Sequence, residues 1–133
     1  MYLKDRVVND FVVTDVLSHT IGVEISQEVG GEYRNGYFCP VVNRGTTLPA
    51  KRTTMLSTLN KNQTSMNLSL FEGESRKVTE NQDIGSFDAK GIPRGPAGEV
   101  VELELLVDLN GNIMATATIQ KTGKQIELSL IHI

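Results

Sequence analysis

"VELELLVDLNGNIMATATIQKTGK", residues 101–124, decides the fold class. It lies across two extended runs, 100–107 and 113–119, and a third run follows at 125–131. The links "DLNGN" and "KTGK" are short, and each holds a glycine able to take positive φ. Three runs joined in this way read as an antiparallel meander. Further out, alternating or β-branched runs recur at 11–16, 20–25, 37–42, 53–59 and 65–71. Turn signals stand between them at Gly30-Gly31, Asn35-Gly36, Arg44-Gly45, Asn60 to Asn62 and Glu72-Gly73. Strands at this spacing predict an all-β sandwich or barrel. In "SMNLSLFEGE", residues 65–74, Met66, Leu68 and Leu70 share one face, Asn67 and Ser69 the other, and Phe71 breaks the alternation before an acidic turn. Helix signals are weak. "MYLKDRVV", 1–8, reads as the tail of a helix, and "AKGIPRGPAGE", 89–99, as a loop too rich in Gly and Pro for either regular element.

The chain has 133 residues, which suits one domain, and is 39% hydrophobic and 22% charged, which predicts a packed core. Aromatics are 5% and Trp is absent, so that core is built from Val, Ile, Leu and Met. A net charge of −3 with no Lys/Arg run argues against nucleic acid and anionic membranes. A single cysteine, Cys39, excludes an internal disulfide and fits a reducing compartment. No stretch has the roughly eighteen apolar residues a membrane span requires. The charged start, "MYLKDRVVND", lacks the apolar run of a signal peptide, so a cytoplasmic location is expected.

The chemistry of a catalytic or metal site is not legible. His19 and His132 have no second His or Cys at ligand spacing. Cys39 lacks a nucleophile signature and reads as a buried structural thiol. "DLNGN" lacks the third ligand position and the later glutamate of a calcium loop, and reads as a tight hairpin. "GIPRGPAG" has no following Lys-Ser/Thr and no helix dipole to cradle phosphate. No enzyme and no metal site are expected. An apolar stripe on a strand is most often core. Residue pattern alone therefore stops at a β-sandwich or barrel that serves as a binding module.

The order of several short motifs goes further. "DVLSHTIGVE" (15–24), "NRGTTLPAKR" (43–52), "LSTLNKNQTSMNLSLFEGE" (56–74), "NQDIGSFDAKGIPRGPAG" (81–98) and "VELELLVDLNGNIMATATIQKTGK" (101–124) resemble, in order and spacing, the substrate-binding domain of the seventy-kilodalton heat-shock chaperones of the DnaK type. The resemblance covers roughly residues 9–128. It implies an antiparallel β-sandwich at 15–133, without the helical lid that follows in the family. Residues 1–14 would then be the end of an ATPase-domain helix and the interdomain linker "FVVTDV", so the chain is expected to be an excised piece from a divergent bacterial branch. ATP would belong to the missing ATPase domain, and no cofactor is expected in this piece.

In this family an extended peptide lies in a groove and places one side chain, usually leucine, in an apolar pocket. By resemblance that pocket is lined by Val23, Ile25, Leu56, Met66, Leu68 and Val101, with Leu70 in permanent core. Ser57 and Gln63 match positions near the peptide backbone, and Leu59 matches one half of the arch over the peptide. The chain between Ile25 and Arg44 is longer than is typical and predicts a long first loop, where Ser26 is the gapless match for the other half. Leu56 stands where Phe is common, and Lys61 where an acid commonly latches the lid. Asp15, Arg44 and Pro49 match the surface coupled to the ATPase domain, and Asn110 stands at an acidic coupling position. The implied partners are unfolded hydrophobic peptides, the ATPase domain of the same chain and a J-domain co-chaperone. Weak self-association is expected if "FVVTDV" or "IELSLIHI" (126–133) enters another molecule's groove. The alternative is a generic β-sandwich that binds a protein or a glycan without a peptide groove; seven aromatics equip it poorly for glycan platforms.

Overall fold

A computed structural model of the chain describes residues 15–130. The expected helix at 1–8, the linker up to residue 14, His132 and the last residues of the tail lie outside these described residues. Eight strands follow in order: β1 (Ile21–Val29), β2 (Glu32–Val42), β3 (Ala50–Ser57), β4 (Ser65–Glu72), β5 (Gln82–Lys90), β6 (Val100–Val107), β7 (Ile113–Ile119) and β8 (Gln125–Leu130). They form two antiparallel four-stranded sheets, ordered β2-β1-β4-β5 and β3-β6-β7-β8. This is the expected β-sandwich.

The meander has the predicted form. Val101 faces Ile119 and Val107 faces Ile113 across β6–β7, and Ile113 faces Leu130 across β7–β8. The first turn is locked by Asp108, whose carboxylate accepts the Asn112 N–H at 2.9 Å and the Asn110 N–H at 2.8 Å. The Asn112 N–H contributes most to holding that carboxylate below its usual range. Alternation then sorts the side chains. Val101, Leu103, Leu105 and Val107 on β6, and Ala115, Ala117 and Ile119 on β7, have no exposed surface. They meet Ile21, Val23, Leu68 and Leu70 of the other sheet in one aliphatic core. Fully burying one such leucine contributes about 2 kcal/mol.

Two segments differ from expectation. β5 was not legible as a strand. Opposite Leu70 and Phe71 it carries an extra residue, since Gly85 pairs with Leu70 and Asp83 with Phe71. That bulge flips the parity between Ile84 and the Phe87/Ala89 pair, so alternation is confined to Gly85–Lys90 and does not run through the strand. The strand also reaches Lys90, so the Gly/Pro-rich loop begins later than 89, and within it Ile92 is buried in the core.

The expected long loop after Ile25 is instead a continuous hairpin. β1 and β2 pair out to Val29 and Glu32, with Gly30-Gly31 as a two-residue tip. Asn35-Gly36 is not a turn but a bulge: both residues stand opposite Ser26, between the Ile25–Tyr37 and Gln27–Arg34 pairs. Gly36 has φ 97°, a conformation that glycine adopts without steric cost. A second irregularity lies at Gly22, where a Cβ would stand 2.1 Å from the Cys39 carbonyl oxygen, so this close strand approach requires glycine. β1 pairs with β4 only at Ile21, Gly22 and Val23. From Glu24 onward the two strands part.

Candidate functional site

The parting of β1 from β4 opens a groove of about 410 Å³. Its apolar floor comes from three strands. β4 supplies Met66 and Leu68, whose even spacing puts both on the inward face; Leu68 is only 1% exposed and Met66 half-buried. β1 supplies Ile25, the second residue beyond its last pair with β4, and β3 supplies Leu56. Ser57, Leu59 and Gln63 border the same space. The structure thus gathers most of the residues that the sequence resemblance pointed to. Val23 and Val101 are the two it does not place on the groove. Both have no exposed surface and lie in the core beneath it. Leu70 is likewise fully buried, as expected.

Gln63 has a definite structural task. Its Oε1 accepts the N–H groups of Leu59 and Asn60 at 3.1 and 3.2 Å, and its Nε2 donates to the Ser65 carbonyl at 2.9 Å. One side chain therefore ties both ends of the β3–β4 loop and fixes Leu59 at the groove. Asn62, at φ 58°, donates its N–H to the Gly95 carbonyl at 2.7 Å. Thr58 anchors the loop's start: its buried hydroxyl oxygen accepts the N–H groups of Gly98 and Glu99, both at 3.0 Å. The wall that carries Leu59 is thereby held from below and from the side.

Glu24, Ser26, Tyr33, Met55 and Asn67 complete the lining and were not assigned to the groove, except Ser26 as the gapless arch position. Met55 and Asn67 were within reach of sequence reasoning, since each neighbours an assigned residue on its strand. Tyr33 was not, because no polar stretch such as 26–36 announces a hairpin. Asn67 is held by Asp88, to which its Nδ2 donates at 2.9 Å. Around the mouth, Tyr33 is 62% exposed, Met55 60% and Leu59 41%. A smaller hollow of about 210 Å³ shares Glu24, Ile25, Ser26 and Asn67 and adds Asn35 and Ser69. The larger hollow is thus lined by both apolar and polar side chains, the smaller mainly by polar ones. Among the described residues Glu24 is the only charged group on either lining.

The residues matched to the coupling surface lie far from the groove. Asp15, Arg44, Pro49 and Asn110 are all exposed. The Asp15 carbonyl accepts the Leu48 N–H at 2.8 Å, and Gly45 donates to Leu17 at 2.7 Å, which brings Asp15, Arg44 and Pro49 into one neighbourhood. Ala50 pairs with Val107, so Pro49 and the β6–β7 turn with Asn110 share one end of their sheet. Ser57, at the groove, pairs with Val100 at the other end. Eight residues of β3 separate the two ends by about 23 Å. Close to this far end, the Glu74 carboxylate accepts the Thr20 N–H at 2.9 Å and its hydroxyl at 2.7 Å. Those two bonds, with smaller help from Arg44 and His19, hold Glu74 below its usual value. Among the described residues no group of three His, Cys, Asp or Glu side chains is placed to hold a metal ion, and no helix is long and apolar enough to cross a membrane.

Residues 3–132 match the family model described as Hsp70 protein. The chain is 32% identical over 127 residues to the chaperone protein DnaK of Deinococcus radiodurans, which covers 95% of this chain and 19% of that protein. It is 33% identical over 126 residues to the DnaK of Carsonella ruddii, with 94% and 19% covered. Against the DnaK of Mycoplasma mobile it is 30% identical over 118 residues, with 88% and 18% covered. The chain thus spans about a fifth of the length of these relatives. On the strength of the match over nearly its whole length, the chain belongs to the Hsp70 family of chaperones.

Proposed function

We propose that this domain holds extended, apolar segments of unfolded proteins in the groove between β1 and β4, with a leucine-like side chain seated on Met66, Leu68, Ile25 and Leu56. The observation that carries this reading is the parting of β1 from β4 after Val23, which leaves an aliphatic floor open beside strand edges. Main-chain hydrogen bonds to an extended segment are indifferent to its sequence, and the floor asks only for an aliphatic side chain. Burying one leucine there contributes about 2 kcal/mol. Met66 suits such a site because an unbranched thioether adapts its shape to unequal guests. A glycan reading finds one aromatic, Tyr33, on the groove and no stacked platform.

The wider reading follows from the relatives. The domain acts without catalysis or cofactor of its own, next to an ATPase domain that binds ATP and is reached through residues 1–14. Asp15, Arg44, Pro49 and Asn110 form the coupling end, a J-domain protein is the co-chaperone, and the cytoplasm is the site of action. Neither nucleic acid nor membrane is a partner. Of the two terminal segments expected as weak guests for a second copy's groove, the tail is committed to its own sheet as far as Leu130, since β8 pairs with β7. That leaves "FVVTDV" (11–16), of which 11–14 lie outside the described residues, as the candidate guest.

Fluorescence anisotropy with a labelled leucine-centred peptide, against a scrambled charge-matched peptide without aliphatic residues, tests the groove. Saturable binding of the first alone is expected. Equal binding of both, or of neither, overturns the reading.

A further inference from the structure

One rim of the groove has no convincing side chain at the position expected from sequence. Leu59 stands on the β3–β4 side, and gapless matching puts Ser26 opposite it. Ser26 is poorly made for that place. Its hydroxyl is hydrogen-bonded to the Asn35 side chain across the β1–β2 bulge, and a hydroxymethyl group has no apolar reach. The long hairpin supplies something else. Tyr33, two residues before Asn35 on the returning strand, pairs with Glu28 and lines the groove. It is the one aromatic on that lining, and it is 62% exposed, far more than a ring with a packing role within its own domain. With Met55 and Leu59 it forms a trio of exposed large apolar side chains around a single opening. A tyrosine ring offers wide contact area for the ordering of only two χ angles, and its hydroxyl tolerates solvent when the groove is empty.

We propose that Tyr33, not Ser26, is the closing arm of the groove. Its ring lies over a bound segment from the β2 side while Leu59 approaches from the β3–β4 loop. This rests on the peptide-binding reading and adds to it. The bulge at Asn35-Gly36 is the positioning device, because an extra residue bends and twists the strand that carries the arm. A ring laid across a segment's backbone asks nothing of its sequence. Tyr33 therefore sets residence time more than choice of guest.

Stopped-flow release of the labelled leucine-centred peptide tests this on the 133-residue chain and on Tyr33→Ala, Tyr33→Phe and Met66→Glu. Tyr33→Ala should release peptide about tenfold faster with association changed less than about twofold, and Tyr33→Phe should stay near the parent. The chain has no Trp and three tyrosines, so ring resonances of Tyr33, assigned by their loss in Tyr33→Phe, are readable and should shift when peptide is added. A scaffold role alone would leave them unmoved. If Tyr33→Ala releases at the parent rate while Met66→Glu loses binding, the groove stands and Tyr33 is not its arm. If neither variant changes binding of a folded protein, the groove reading itself fails. Circular dichroism checks folding, which an exposed side chain should not disturb.

Discussion

Met66→Glu is the sharpest test of the groove. Met66 is half-buried on β4, and its backbone pairs with Ala89 whatever its side chain. Next to it Leu68 is 1% exposed and has no room to yield. In the free protein a glutamate at 66 can turn toward the open groove and keep its water. A bound segment removes that water, and among the described residues no cation lines the groove to replace it. Burying an unpaired carboxylate costs several kcal/mol, while the leucine contact it displaces is worth about 2 kcal/mol. Because the carboxylate can escape by excluding the guest, the lower figure sets the minimum, and affinity should fall at least about 30-fold. Anisotropy titration reads this directly. Thermal melting should change little, by roughly 1 kcal/mol or about 4 °C at most for a chain of this length. A variant that stays folded and binds the leucine peptide like the parent refutes the assignment. A variant that fails to fold shows that Met66 belongs to the core and not to a guest's seat.

Other expectations concern the scaffold. Gly22→Ala drives a Cβ to 2.1 Å from the Cys39 carbonyl oxygen, and because backbone cannot yield cheaply, a loss of about 3 kcal/mol or failure to fold is expected in urea unfolding. Leu103→Ala empties a site with no exposed surface and should cost about 2–5 kcal/mol by the same measurement, with peptide affinity kept at temperatures where the protein remains folded. Glu74 has its folded-state value below the ordinary 4.5, so its bonds to Thr20 contribute fully above that pH and are lost as pH falls through the lower native value. Glu74→Gln should therefore lower the urea midpoint at neutral pH and flatten part of the acid limb of a midpoint-against-pH curve below pH 4.5, where that contribution is lost in the parent; an unchanged acid limb would remove Glu74 from the account.

The meander was legible because nothing interrupts it. Val101, Leu103, Leu105 and Val107 alternate without a bulge, and both links hold a glycine, Gly111 at φ 84° and Gly123 at φ 76°. Met66 and Leu68 were legible for the same reason. β5 was hidden by one inserted residue at Ile84, which costs the sequence its parity but costs the sheet little. Residues 26–36 were hidden because both faces of that hairpin meet solvent, so no burial pattern marks it as strand. The resemblance placed Val23 and Val101 at the pocket, and the structure buries both below the surface that Ile25 and Leu56 present. Which residue of an inward-facing pair touches a guest depends on where β1 leaves β4, and that is a property of pairing between distant segments. Tyr33 could not be found from its neighbours in sequence, because its place beside Leu59 follows from the length of the hairpin and its bulge.

The one-sided bonding of β1 beyond Val23 has a mechanical consequence. From Glu24 to Val29 the strand is stitched to β2 alone, while Ile21 to Val23 are stitched on both edges and sit above the aliphatic core. Amide protons of the outer hairpin should exchange through local opening of low free energy, and those of Ile21 and Val23 only through global unfolding. The two walls of the groove are then unequal. The β3–β4 side is tethered by Gln63 and Thr58, and the hairpin side is a cantilever fixed at Val23. On the proposed reading, guests of different girth would be accommodated by bending that cantilever, while Leu68, 1% exposed, keeps its place beneath them.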